Sequence, residues 1–133
     1  MTTKFYVCPV CGNVIVKLVD SGVTPSCCGQ TMKELVPNTT DGKVEAHVPV
    51  FERTSPGTIM VSIGSTPHPM TKEHHISFIY IETKHGGQFK WLSPECTPEV
   101  VFDSPNTPCR VYSYCNIHGL WMLDLPASSS SKS

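Results

Sequence analysis

Tyr114-Cys115-Asn116-Ile117-His118-Gly119-Leu120-Trp121 is the stretch on which the fold turns. It sets a thiolate donor and an imidazole donor three residues apart in a short turn, with apolar runs on either side, Cys109 to Tyr114 and Leu120 to Leu125. Those runs read as two strands joined by a metal-binding turn. Three upstream histidines can complete a site around it. His47 stands in Glu45-Ala46-His47-Val48-Pro49-Val50, His68 between Pro67 and Pro69, and His74 beyond a short polar loop. Four imidazoles and one thiolate suit iron better than structural zinc, whose sites are four-coordinate, closed and richer in sulfur. The expected site keeps one coordination position open.

Further strands follow upstream of that turn. Val44 to Arg53 carries apolar residues on a strand-like spacing. Ile59, Val61 and Ile63 alternate with Met60, Ser62 and Gly64, the pattern of a strand with one buried face. His75 to Thr83 is apolar on both faces for most of its length, as a central strand would be. His85-Gly86-Gly87 marks a hairpin turn before Gln88 to Leu92, and Glu99 to Phe102 follows. Short strands at turn-punctuated intervals predict an all-β chain, with an antiparallel sandwich of immunoglobulin or fibronectin-III size over 38–126. The tail, 127–133, is small and polar, and disorder is expected there.

Residues 1–37 carry a different constellation: Cys8-Pro9-Val10-Cys11-Gly12, then Cys27-Cys28-Gly29. The first pair forms a knuckle whose Gly12 relieves the backbone as its amides turn toward sulfur. Val14 to Val19 reads as a strand between the pairs. So short a segment buries too little surface to fold alone, so a metal must supply much of its stability. A structural zinc knob is the commonest fate of a four-cysteine module, the spacing does not choose between zinc and iron, and adjacent thiolates imply a distorted tetrahedron. A Cys27–Cys28 disulfide is the weaker alternative, because adjacent cysteines close a strained ring. Residues 37–43 are polar and turn-rich, and read as a linker.

Composition narrows the function classes. With 133 residues and a formal net charge of −1, the chain has no basic footprint for nucleic acid or an anionic membrane. No apolar run reaches transmembrane length, and the N-terminus lacks the regions of a signal peptide. A cytoplasmic location is expected. Seven cysteines without an export signal point to metal ligands and free thiols. Cys96 and Cys109 fall outside both constellations and read as buried inert thiols. Trp121 and Phe78 read as core.

A single histidine is ordinarily a surface or core residue, and His85, beside a glycine turn, reads so. His68 has its backbone held extended by Pro69, which suits a ligand and also any tight turn. His74 and His75 are adjacent and would point to opposite faces of a strand, so one of the two reaches a metal.

Together, four motifs in order resemble the desulfoferrodoxin family, the two-iron form of superoxide reductase. They are Cys8-x-x-Cys11-Gly with Cys27-Cys28-Gly, Glu45-x-His47-Val-Pro-Val, His68-Pro-Met with His74 six residues on, and Cys115-Asn-x-His118-Gly. The likeness spans nearly the whole chain, to about Leu125. It implies a rubredoxin- or desulforedoxin-like domain holding iron with Cys8, Cys11, Cys27 and Cys28. It also implies a second iron in the sandwich, with His47, His68, His74 and His118 equatorial and Cys115 axial. The implied reaction reduces superoxide by one electron, with two protons, to hydrogen peroxide. A rubredoxin-like electron donor and a homodimer are implied as well.

On that likeness Glu45 would approach the open iron position in the resting state. The family pattern has a lysine where this chain has Ala46, whether by nature or by substitution. Lys72, in the loop before His74, is the candidate to supply the missing positive charge, and a solvated loop lysine is the other reading. Two rivals to the enzyme remain: a one-electron carrier built on the four-cysteine iron, and a zinc-stapled binding module.

Overall fold

The computed structural model describes residues 3–38, 47–55, 57–63, 69–103 and 109–125. The tail expected over 127–133, and all of the linker over 37–43 except Pro37 and Asn38, lie outside them. Every named element is a strand and every pairing is antiparallel, so the chain is all-β. By its internal contacts it divides into two units, Met1–Val36 and Pro37–Ser133.

In the first unit, β1 (Phe5–Val7) is flanked by β2 (Val14–Val16) and β5 (Lys33–Leu35). A two-stranded hairpin, β3 (Ser26–Cys27) with β4 (Gln30–Thr31), completes it. Tyr6, Cys8 and Met32 form a small buried cluster with Cys27 against it. β2 is shorter than the Val14 to Val19 expected. Lys17 Nζ reaches Asp20 Oδ1 at 2.7 Å and Val23 O at 2.6 Å, which turns the chain and leaves Leu18 and Val19 exposed.

The second unit is a sandwich of two sheets. One is ordered β10 (Glu99–Asp103), β7 (Thr58–Ile63), β6 (Pro49–Ser55). The other is ordered β12 (Gly119–Leu125), β11 (Cys109–Cys115), β8 (Ile76–Thr83), β9 (Gly86–Trp91). β7 alternates strictly, with Ile59, Val61 and Ile63 buried, because a period of two puts every second side chain on the core face. Those residues and Phe102 meet Ile76, Ile79, Ile81, Val111, Cys115 and Leu125 of the facing sheet. β8 is paired on both sides, the central position its two apolar faces predict.

The other face of the same sheet is aromatic, with Tyr80 stacked on Phe89 at 4.1 Å and Phe78 on Tyr114 at 5.8 Å between ring centroids. The outer edge of β12 is met by Asn38, whose Oδ1 accepts from Met122 N–H at 2.9 Å and whose N–H donates to Leu120 O at 3.0 Å. One residue thus satisfies polar groups that an open edge strand leaves unpaired.

The β8–β9 turn falls at Lys84 and His85, and Gly86 and Gly87 are already paired with Thr83 and Glu82. The expected turn sat one residue later. Within the strand Gly87 cannot be replaced by another residue without a shift, because the Tyr80 ring occupies the space a side chain there would need. Cys96 also departs from expectation: it is exposed, in the β9–β10 connection, and Cys109 is half-buried against the core. The Ser-Pro-Glu setting of Cys96 forms a surface connection, not a core strand.

Candidate metal centres

Chain reversal at each glycine shapes the four-cysteine group. Gly12 (φ 83°) and Gly29 (φ 72°) directly follow a cysteine pair in the left-handed region that favours glycine. Cys28 itself has φ 53°, a conformation a β-carbon disfavours. The Sγ atoms of Cys8, Cys11, Cys27 and Cys28 lie within 4.8 Å of one another. The N–H groups of Val10 and Cys11 each donate to Cys8 Sγ at 3.4 Å. The Cys11 N–H is the leading cause that pulls the Cys8 thiol down to about 6, while the Cys11 side chain leads those that push Cys28 up to about 12. Crowded sulfurs ionise in sequence, and a bound cation removes that conflict.

The second group is built from three places in the sandwich. Cys115 ends β11 and is fully buried, with Gly119 (φ 83°) closing the turn that returns the chain as β12. His118 N–H donates to Cys115 Sγ at 3.4 Å, and His118 Nδ1 lies 3.8 Å from that sulfur. His74 sits in the loop before β8. His47 lies just ahead of β6, not within a strand as its sequence suggests, since Pro49, lacking an N–H, is the first residue of the strand. Ring centroids are 4.7 Å apart for His47 and His118, 5.0 Å for His74 and His118, and 6.5 Å for His47 and His74. One donor atom from each of His47, His74, Cys115 and His118 lies within 4.8 Å of the others.

These donors are poised to take a cation. Burial, then the neighbouring His118, His47 and His75, lowers the His74 pKa, which favours the neutral ligand form. Burial raises the Cys115 thiol, opposed by the backbone N–H groups of His118 and Ile117, so metal must displace its proton. Three imidazoles and a thiolate, His47 and Cys115 buried and His74 and His118 half-buried, form a donor set of mixed softness that fits a first-row transition metal.

The structure separates the adjacent histidines. His74 joins the group, while His75 Nδ1 lies 2.9 Å from Thr71 O. Neither lies in the strand expected to start at His75, because β8 begins at Ile76. Lys72 is exposed in the same loop. His68 and Glu45 lie outside the described residues.

Several contributors gave no sequence signal of their own. Trp121, fully buried, stacks on His47 at 4.9 Å and donates Nε1–H to His118 O at 3.1 Å. Ser113 Oγ–H, buried, donates to His47 O at 3.2 Å. Asn116 and Thr71 hold the His74 loop. Asn116 stands in the Cys115-Asn-x-His118-Gly motif, and only nearness to His74 could have pointed to Thr71.

A β-sandwich with a three-histidine, one-cysteine group, in a chain that also carries a four-cysteine group, defines a class of two-centre non-haem iron proteins. The desulfoferrodoxin family model matches residues 39–124, and the chain belongs to that family. The two groups match the two iron centres that the family holds. A desulfoferrodoxin of Syntrophotalea carbinolica is 40% identical over 118 residues, covering 89% of this chain and 93% of the relative. A superoxide reductase of Pyrococcus horikoshii is 40% identical over 99 residues, 61% of this chain and 86% of that one. The crystal structure of the superoxide reductase from Treponema pallidum superposes with a TM-score of 0.74 at 28% identity, covering 92% of this chain and 99% of that one.

Proposed function

We propose that this chain is a superoxide reductase, an oxidoreductase that converts superoxide, one electron and two protons to hydrogen peroxide. The observation that carries the reading is the convergence of His47, His74, His118 and Cys115 from distant parts of the chain. His68 would complete the set as a fourth imidazole donor beside Cys115. Ferrous iron held by these residues would provide one-electron reducing chemistry. Residues 38–126 form the catalytic domain, and 1–37 form the domain of the four-cysteine iron.

The chain's own residues do the rest. The His118 N–H steadies the Cys115 thiolate. Imidazole is a neutral ligand, so with one thiolate a divalent ion held there would keep a charge of about +1, which would draw an anionic substrate to the open position. Glu45, two residues before His47 in the sequence, would offer a carboxylate to that position. Lys72, exposed two residues before His74, adds the positive charge that Ala46 does not. A rubredoxin-like donor returns the electron, and the working form is a cytoplasmic homodimer. No helix among the described residues is long and apolar enough to cross a membrane.

Reduced protein mixed with superoxide should yield one peroxide per superoxide consumed without evolving dioxygen. Dioxygen evolution, or no consumption, refutes the reading, as does a protein that carries zinc alone by metal analysis. Lys72→Ala should slow superoxide consumption and flatten its ionic-strength dependence. An unchanged rate and salt slope would remove Lys72 from the mechanism.

A further inference from the structure

His74 lies in the loop before β8, outside any strand. A ligand on a loop keeps its place only if the loop's own polar groups are tied down. Two side chains do this. Thr71 Oγ1 accepts from His74 N–H at 3.0 Å and donates to His74 O at 3.2 Å, and Thr71 N–H donates to the same oxygen at 2.9 Å. Asn116 takes the flanking peptides. Its Oδ1 accepts from His75 N–H at 2.8 Å, its Nδ2–H donates to Glu73 O at 2.9 Å, and its own N–H donates to His75 O at 3.2 Å.

Asn116 is bonded directly to Cys115. Shifting the His74 loop against the thiolate therefore breaks three hydrogen bonds at once. A side chain with both a donor and an acceptor is needed to clamp a carbonyl and an N–H on either side of one residue, and asparagine supplies both on a short stem.

We propose that Asn116 is a positioning residue for the mixed metal site. It fastens the Glu73–His75 loop to the Cys115 turn and sets the spacing of the His74 nitrogen from the Cys115 sulfur. Thr71 fixes the same loop from its own side. This rests on the metal-site reading above.

The test is cobalt(II) uptake by the full chain, followed through the thiolate-to-cobalt absorption of each centre and a competing chelator. In the parent protein, a band lost in Cys115→Ala identifies the mixed site. Asn116→Ala should lower cobalt affinity there roughly 10–100-fold, the usual cost of losing an outer hydrogen-bond partner of a ligand. It should also shift that band and leave the four-cysteine band unchanged. Thr71→Val should act in the same direction, and Thr71→Ser, which keeps the hydroxyl, should restore affinity and band position. Unchanged affinity and band in both Asn116→Ala and Thr71→Val overturn the proposal. So does equal weakening of the four-cysteine centre, which marks general unfolding. If Asn116→Ala does not fold, the contrast between Thr71→Val and Thr71→Ser decides. A parent protein without a Cys115-dependent band refutes the metal-site reading itself, a result distinct from intact binding that ignores both variants.

Discussion

Replacing Trp121 with phenylalanine should weaken both the sandwich and its metal site, and the structure gives the size. Trp121 is 1% exposed, its ring lies 4.9 Å from that of His47, and its Nε1–H donates to His118 O at 3.1 Å. Phenylalanine removes the donor and strands a carbonyl on a ligand residue, a loss of about 1 kcal/mol. The smaller ring leaves a void on the order of 40 Å³, which at about 24 cal/mol per Å³ adds about 1 kcal/mol. Trp121→Phe should therefore cost about 2 kcal/mol in urea unfolding of the metal-free sandwich. Because the ring also seats His47 and the bond orients His118, cobalt affinity at the mixed site should fall roughly tenfold. Trp91→Phe is the control, since Trp91 is 82% exposed and its loss should stay within about 0.5 kcal/mol. Stability and cobalt affinity as high in Trp121→Phe as in Trp91→Phe would refute both the packing and the hydrogen-bonding role of Trp121.

Cobalt or iron uptake at the mixed site should release a proton, because burial keeps the Cys115 thiol protonated at neutral pH. Apparent affinity should then rise by about tenfold per pH unit through neutrality, and calorimetry in buffers of different ionisation enthalpy reads the proton count directly. A pH-independent affinity would mean the thiol is already ionised. Gly87→Ala should cost about 1–3 kcal/mol, because the added carbon meets the Tyr80 ring, itself stacked on Phe89. A thermal melt within a degree of the parent would contradict that packing. Stripping all metal should abolish amide-exchange protection in the first unit, whose buried cluster is small. β7, β8 and β11 should stay protected by the larger core of the second. Loss of protection in both would show that the sandwich also needs its ion to fold.

Sequence alone determined what is local. The alternation of Ile59, Val61 and Ile63 names the buried face of β7, because side chains on a strand repeat every two residues. The two apolar faces of β8 mark it as interior, and the cysteine pairs with their following glycines mark one metal group, because knuckle and turn are fixed by neighbours in the chain. Strand ends were less legible. Lys17 folds back on Asp20 and Val23 where β2 ends, and Gly87 pairs within β9 where the Tyr80 ring leaves no room for a side chain; the apolar pattern shows neither contact. The motif resemblance named His47, His74, His118 and Cys115 as one ligand set, with His74 and not His75; the tertiary structure shows how they meet, with His74 in the group and His75 bonded to Thr71. Only the tertiary structure shows Trp121, Ser113 and Asn116 holding those ligands in place. Such a meeting depends on sheet order and strand register, set by the packing of the whole core, and residue spacing carries no record of it.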